Sequence, residues 1–89
     1  MRKGGSVLFQ PQQKIVFVGD SITDAGRREA SPYGAGYVNQ VRSLILARYP
    51  ELGLCFVNRG VSGDTTRHLV DRWERDVIAE QPDWLVLMI

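Results

Sequence analysis

The sequence predicts an α/β fold, and three observations carry that prediction. Three short, continuous apolar runs have the look of strands buried on both faces, as in a parallel sheet. Two stretches with apolar residues at three- and four-residue spacing lie between them. Each connection also exceeds the dozen or so residues that a parallel crossover requires.

The first run is Lys14-Ile15-Val16-Phe17-Val18, ended by Gly19-Asp20. A helix follows over Tyr37–Tyr49, where Tyr37, Val38, Val41, Leu44, Ile45 and Tyr49 form the apolar stripe and Pro50 closes the segment. The second run is Cys55-Phe56-Val57-Asn58. A second helix spans Thr66–Glu80, with Leu69, Val70, Trp73, Val77 and Ile78 facing inward and Pro82 beyond its end. Asp64, Thr65 and Thr66 are all candidate N-caps for it. Trp84-Leu85-Val86-Leu87-Met88-Ile89 is the third run, and no turn signal follows it. Right-handed crossovers stack such strands side by side, with 14–18 in the middle. The expected architecture is a partial three-layer, flavodoxin-like parallel sheet of three strands and two main helices. Such a unit belongs to a larger doubly wound sheet, so an open edge is expected along 84–89, with self-association through it.

Composition narrows the function classes. The 89 residues make one small domain, with 44% hydrophobic and 24% charged residues, the profile of an ordinary globular chain. A net charge of +1, with both signs interleaved as in Arg72-Trp73-Glu74-Arg75-Asp76, offers no stripe for nucleic acid or a lipid surface. Residues 1–13 read as a flexible leader ahead of a domain at 14–89. Its apolar stretch Val7-Leu8-Phe9 is too short for a secretory signal, which makes the cytoplasm the expected location. The single cysteine, Cys55, lies in an apolar run and reads as a buried, inert thiol. No Cys/His cluster has metal-ligand spacing, and no cofactor is expected.

The chemistry-bearing segment is Gly19-Asp20-Ser21-Ile22-Thr23-Asp24, where the first strand ends. Ligand sites of open parallel sheets form at the carboxyl ends of strands. A serine that starts a helical turn there has a raised hydroxyl and backbone N–H groups near its oxygen, as a nucleophile needs. Read alone, Gly-Asp-Ser is more often an ordinary turn than a nucleophile. A second segment, Asn58-Arg59-Gly60-Val61-Ser62-Gly63-Asp64-Thr65, occupies the equivalent loop after the second strand. Topology therefore sets it beside Ser21, where Gly63 has the backbone freedom to aim its N–H at an oxyanion. A plain loop and helix cap would account for the same residues.

Together the two segments resemble the first and second blocks of the SGNH/GDSL hydrolases, with Ile22 in place of the usual Leu. The resemblance implies that Ser21 is the nucleophile and also an oxyanion N–H donor, and that Gly63 is a second donor. The family's third donor lies in a Gly-x-Asn-Asp block after an apolar strand, and its base and orienting acid lie in an Asp-x-x-His block. Neither block is present in these residues. The expectation is thus an SGNH fold cut after its third strand, an esterase by family and inactive as an 89-residue chain. Gly34-x-Gly36-Tyr37-Val38, Tyr49-Pro50-Glu51-Leu52-Gly53 and Pro82-Asp83-Trp84 look similar to the branch containing intracellular bacterial acetyl-xylan esterases. That implies a small ester or acetylated carbohydrate as substrate.

The remaining candidates read as structural. His68, the one histidine, lacks the Asp-x-x-His context and belongs to a surface turn of the second helix. Asp20 supports the loop through hydrogen bonds to neighbouring backbone, and neither it nor Asp24 reads as the orienting acid. Trp73 and Trp84 are packing residues. Two other classes stay open: a flavodoxin-like module holding phosphate at a helix start, for which no Gly-rich phosphate motif is present, and a non-catalytic fragment that pairs through its sheet edge.

Overall fold

A computed structural model describes residues 9–29 and 31–88 of the chain. The three apolar runs form β1 (Lys14–Gly19), β2 (Cys55–Gly60) and β3 (Trp84–Met88), all parallel in one sheet of order β2-β1-β3. Ile89, the last residue of the predicted third strand, lies outside the described residues. Between the strands lie α1 (Ser21–Asp24), α2 (Tyr37–Arg48) and α3 (Thr66–Asp76), with 3₁₀ turns at Pro50–Leu52 and Ile78–Glu80.

Alternation along β1 builds the layers, because successive side chains of a strand point to opposite faces. Ile15 and Phe17 pack with Val38 of α2 and with Leu54 and Phe56. Val16 and Val18 pack with Leu69 and Val77 on the α3 side. All four β1 residues are 0–2% exposed, so the central strand is covered on both faces and its continuous apolar run is explained. Trp84 and Trp73 are partly buried against these two clusters, as packing residues should be.

Several inward assignments shift. Leu44 is 72% exposed, because the stripe of α2 runs through Val38, Val41 and Ile45 instead. On α3, Val70 is 69% exposed and the buried face is Leu69 with Arg72. Ile78 is also exposed, since α3 stops at Asp76 and the chain turns into the 3₁₀ segment. Cys55 is not the buried thiol expected: it opens the edge strand β2, where Phe56, Asn58 and Gly60 take the covered face, and it is exposed. Of the expected leader, residues 1–8 lie outside the described residues. Residues 9–13 lie against the sheet and the turn at Pro50–Leu52. The Phe9 ring stands edge-on to Trp84 at 5.3 Å, Gln12 N–H donates to Leu52 O at 2.7 Å, and Trp84 Nε1 donates to Gln13 Oε1 at 2.8 Å.

The strand starts are fastened as well. Lys14 N–H donates to Asp83 Oδ2 at 2.7 Å, and Asp83 N–H returns a bond to Lys14 O at 2.9 Å. Glu80 accepts from both Lys14 Nζ and Arg59; these cations hold its carboxyl below the ordinary range, Arg59 first, against the opposing effect of burial. The other strand ends, Gly19 of β1 and Gly60 of β2, are left side by side in register to carry the loops that follow.

Candidate active site

Asp20 makes the chain turn at the end of β1. As the N-cap of α1 its Oδ1 accepts from Ile22 N–H at 3.2 Å, and its carbonyl accepts from Asp24 N–H at 2.9 Å. Ser21 thereby occupies the first helical position and is exposed at the carboxyl end of the sheet. The turn has no slack beneath it. Thr23 is fully buried, its hydroxyl 2.8 Å from that of Tyr37, and its carbonyl accepts from Asn58 Nδ2 at 2.7 Å.

Asn58 is what joins the two segments. Its amide donates to Thr23 O and to Tyr33 O (3.0 Å), while Oδ1 accepts from Gly60 N–H at 2.8 Å. A buried amide with its donors and acceptor engaged fixes its neighbours, since any lost bond would leave a polar group unpaired. Gly60 must be glycine for another reason. A Cβ there would press on the backbone of α1, 2.7 Å from Thr23 C and closer still to Asp24 N. The absence of a side chain lets α1 lie directly on β2.

The loop after β2 folds into a turn, Asp64 N–H donating to Val61 O at 3.2 Å, with Gly63 third at φ +86°. Positive φ at that position is what a type II turn demands, and it favours glycine. Such a turn leaves the N–H groups of its two central residues pointing away. That of Ser62 goes to Asp24 Oδ2 at 3.0 Å, joined by the Ser62 hydroxyl at 3.1 Å. The N–H of Gly63 has no protein acceptor among the described residues. Val61 N–H donates to Gly19 O at 3.0 Å, which closes the loop onto the strand leading to Ser21.

The structure thus brings Asp20, Ser21 and the Gly63 turn to one end of the sheet, joined through Asp24 and Asn58. Burial raises the Asp24 carboxyl pKa, but the N–H groups of Ser62 and Arg27 and the Ser62 hydroxyl outweigh it, and the net shift is downward. Asp24 is therefore a clamp, bonded to backbone and hydroxyl.

Residues 17–89 match the GDSL-like lipase/acylhydrolase family. The chain belongs to that family. Among its relatives is an acetylxylan esterase of Geobacillus stearothermophilus, 51% identical over 83 residues, covering 86% of this chain and 38% of the relative. A crystal structure of a catalytic mutant of an acetylxylan esterase from the same organism superposes with a TM-score of 0.86 at 48% identity, covering 93% of this chain and 41% of that one. An alpha/beta hydrolase enzyme from the metagenome of Lake Arreo, Spain, gives a TM-score of 0.84 at 42% identity over 91% of this chain and 40% of its own. The chain spans about two fifths of the length of these relatives.

In this GDSL-like chain His68 is employed elsewhere. Its Nδ1 accepts from Thr65 N–H at 3.0 Å and lies 3.3 Å from Thr65 Oγ1, completing a capping box at the start of α3. Nδ1 is thus engaged as an acceptor at the start of its own helix. Thr65 is the cap among the three candidates.

Arg72 was invisible as a site residue in the sequence, being one of several charges on an amphipathic helix. Yet its side chain is only 9% exposed, with Nε donating to Asp64 Oδ2 at 2.6 Å and Nη1 to both Arg59 O and Asp76 Oδ2 at 2.8 Å. Arg27 is similar, its Nε donating to Gly60 O at 2.6 Å. Neither has a signal in residue spacing, because each is identified by the backbone carbonyls it meets.

Proposed function

We propose that this chain carries the nucleophile end of a serine ester hydrolase site that removes acetyl groups from carbohydrate. The observation that supports it best is the pairing of an exposed Ser21 on a capped, buried-backed turn with a Gly63 N–H on the adjoining loop that has no acceptor among the described residues. The acetylxylan esterase relatives supply the substrate class.

In this reading Ser21 Oγ attacks the ester carbonyl and gives its proton to a histidine that these 89 residues do not supply. The Ser21 and Gly63 N–H groups hold the oxyanion. The histidine returns that proton to the sugar oxygen as its bond to the acyl carbon breaks and the neutral alcohol departs. Water, giving a proton to the same histidine, then attacks the acyl-serine, and acetate leaves as Ser21 Oγ regains its proton. Asp20 supports the serine by capping α1. The reading calls for no metal or organic cofactor. Because the triad acts as a unit, the 89-residue chain alone should be essentially inactive, down by several powers of ten. Left to itself, it should instead pair through β3, where Leu85, Val86, Leu87 and Met88 are 38–53% exposed.

The experiment joins the chain to the carboxyl-terminal remainder of the Geobacillus esterase and compares acetate release from acetylated xylo-oligosaccharides. The joined chain should release acetate and the short chain should not. Ser21-dependent turnover by the short chain would contradict the reading, because a base would then exist within it.

A further inference from the structure

We propose that Arg72 is a positioning residue for the reaction: its guanidinium ties Asp64 to the ends of β1 and β2, and so aims the Gly63 N–H at the oxyanion. The inference rests on the serine-hydrolase reading of Ser21 and adds a residue to it.

Packing does not hold Gly63. It is exposed, and a Cβ on it would meet no atom of the described residues within 4 Å. A glycine in open space with a left-handed φ can turn its peptide over at little steric cost, so the direction of its N–H is set by the residues on either side. On one side, Ser62 is bonded to Asp24 on an exposed face. On the other, Asp64 meets Arg72 in a part-buried contact of 2.6 Å.

The same guanidinium reaches three further acceptors. Nη1 donates to Arg59 O, next to the end of β2, and to Asp76 Oδ2, both at 2.8 Å. Nη2 lies 3.4 Å from Gly19 O, two residues before Ser21. One rigid, planar group therefore spans the strand end that leads to the nucleophile, the strand end that leads to the turn, and the residue after the oxyanion glycine. A lysine could not do this, since its single ammonium cannot present donors in a fixed fork. Arg72 and Leu69 are the buried residues of α3, so the anchor is seated in the packed body of the domain.

The test uses the chain joined to the Geobacillus remainder, with Arg72→Met, Arg72→Lys, Asp64→Ala, the double variant Arg72→Met/Asp64→Ala, and Ser21→Ala. A misaimed oxyanion donor acts on the transition state and not on substrate binding. Each variant at 64 or 72 should therefore lower kcat on an aryl acetate by about 100-fold with KM nearly unchanged. The double variant should fall no further than Asp64→Ala, because both act through one contact. Should Arg72→Met fail to fold, Asp64→Ala decides alone, since it leaves Arg72 paired with Asp76. A folded Asp64→Ala enzyme with undiminished kcat, a loss confined to KM, or multiplying losses in the double variant would overturn the proposal. Full activity in Ser21→Ala would instead overturn the serine reading, and this inference with it.

Discussion

A single methyl group added at Gly60 would strike the backbone of α1, and this close approach sets the distance between the serine turn and β2. Gly60→Ala should destabilise the chain by about 2 kcal/mol, the usual cost of overpacking where the neighbour is backbone and cannot yield. Urea denaturation of the joined chain checks it; an unchanged midpoint would show that α1 and β2 can separate freely. Thr23→Val keeps the shape but removes the bond to the Tyr37 hydroxyl, and should cost about 1 kcal/mol in the same assay. The turns that carry Ser21 and Gly63 were legible in the sequence because a turn at a strand end imposes residue types that can be read, and their proposed roles come from the family resemblance. Arg72 was not. A charge on a helix reads as solvated, and only coordinates reveal the acceptors that make its burial tolerable.

Continuous apolar runs located all three strands and the helical period located the two long helices, but the period erred where a stripe met a local interruption. On α3 the stripe suggested Val70, whereas the inward face runs through Leu69, Arg72 and Trp73, at spacings of three and four. The helix also ends four residues early, the chain tightening into a 3₁₀ turn at Ile78–Glu80. Its start, by contrast, is built from local chemistry. Thr65 and His68 exchange bonds across the first turn, so Thr65→Ala should cost about 1 kcal/mol of stability. His68→Ala should likewise lower the melting temperature of the joined chain while leaving its acetate release intact. A large loss of acetate release in His68→Ala, with the fold preserved, would return that histidine to the catalytic site.

Across the whole molecule, ion pairs couple the sheet to its loops, and that coupling depends on pH. Asp24, Asp76 and Glu80 all have carboxyl pKa values lowered in the folded chain. For Asp76 burial acts upward, but the bonds from Arg72 and Arg75 prevail. A depressed folded value contributes stability that is present above the unfolded pKa and lost as pH falls through the folded one. The melting temperature should therefore hold near neutrality and drop below about pH 4; a flat profile down to pH 2 would contradict these assignments. Layer order was legible from sequence, since a strand apolar at every position must be covered on both faces. The exposed residues of β3 follow from its place beside only one neighbour in the described sheet. Sedimentation of the 89-residue chain at micromolar concentration should accordingly show species larger than a monomer.

Covalent labelling separates Ser21, the proposed nucleophile, from every other serine of the chain. The joined chain is treated with a serine-directed phosphonate, digested, and the modified residue located by mass spectrometry. The expected result is one adduct per chain, on Ser21, with labelling abolished in Ser21→Ala and absent from the unjoined 89 residues. An adduct on a different serine, or undiminished labelling of the Ser21→Ala variant, would rule Ser21 out as the nucleophile.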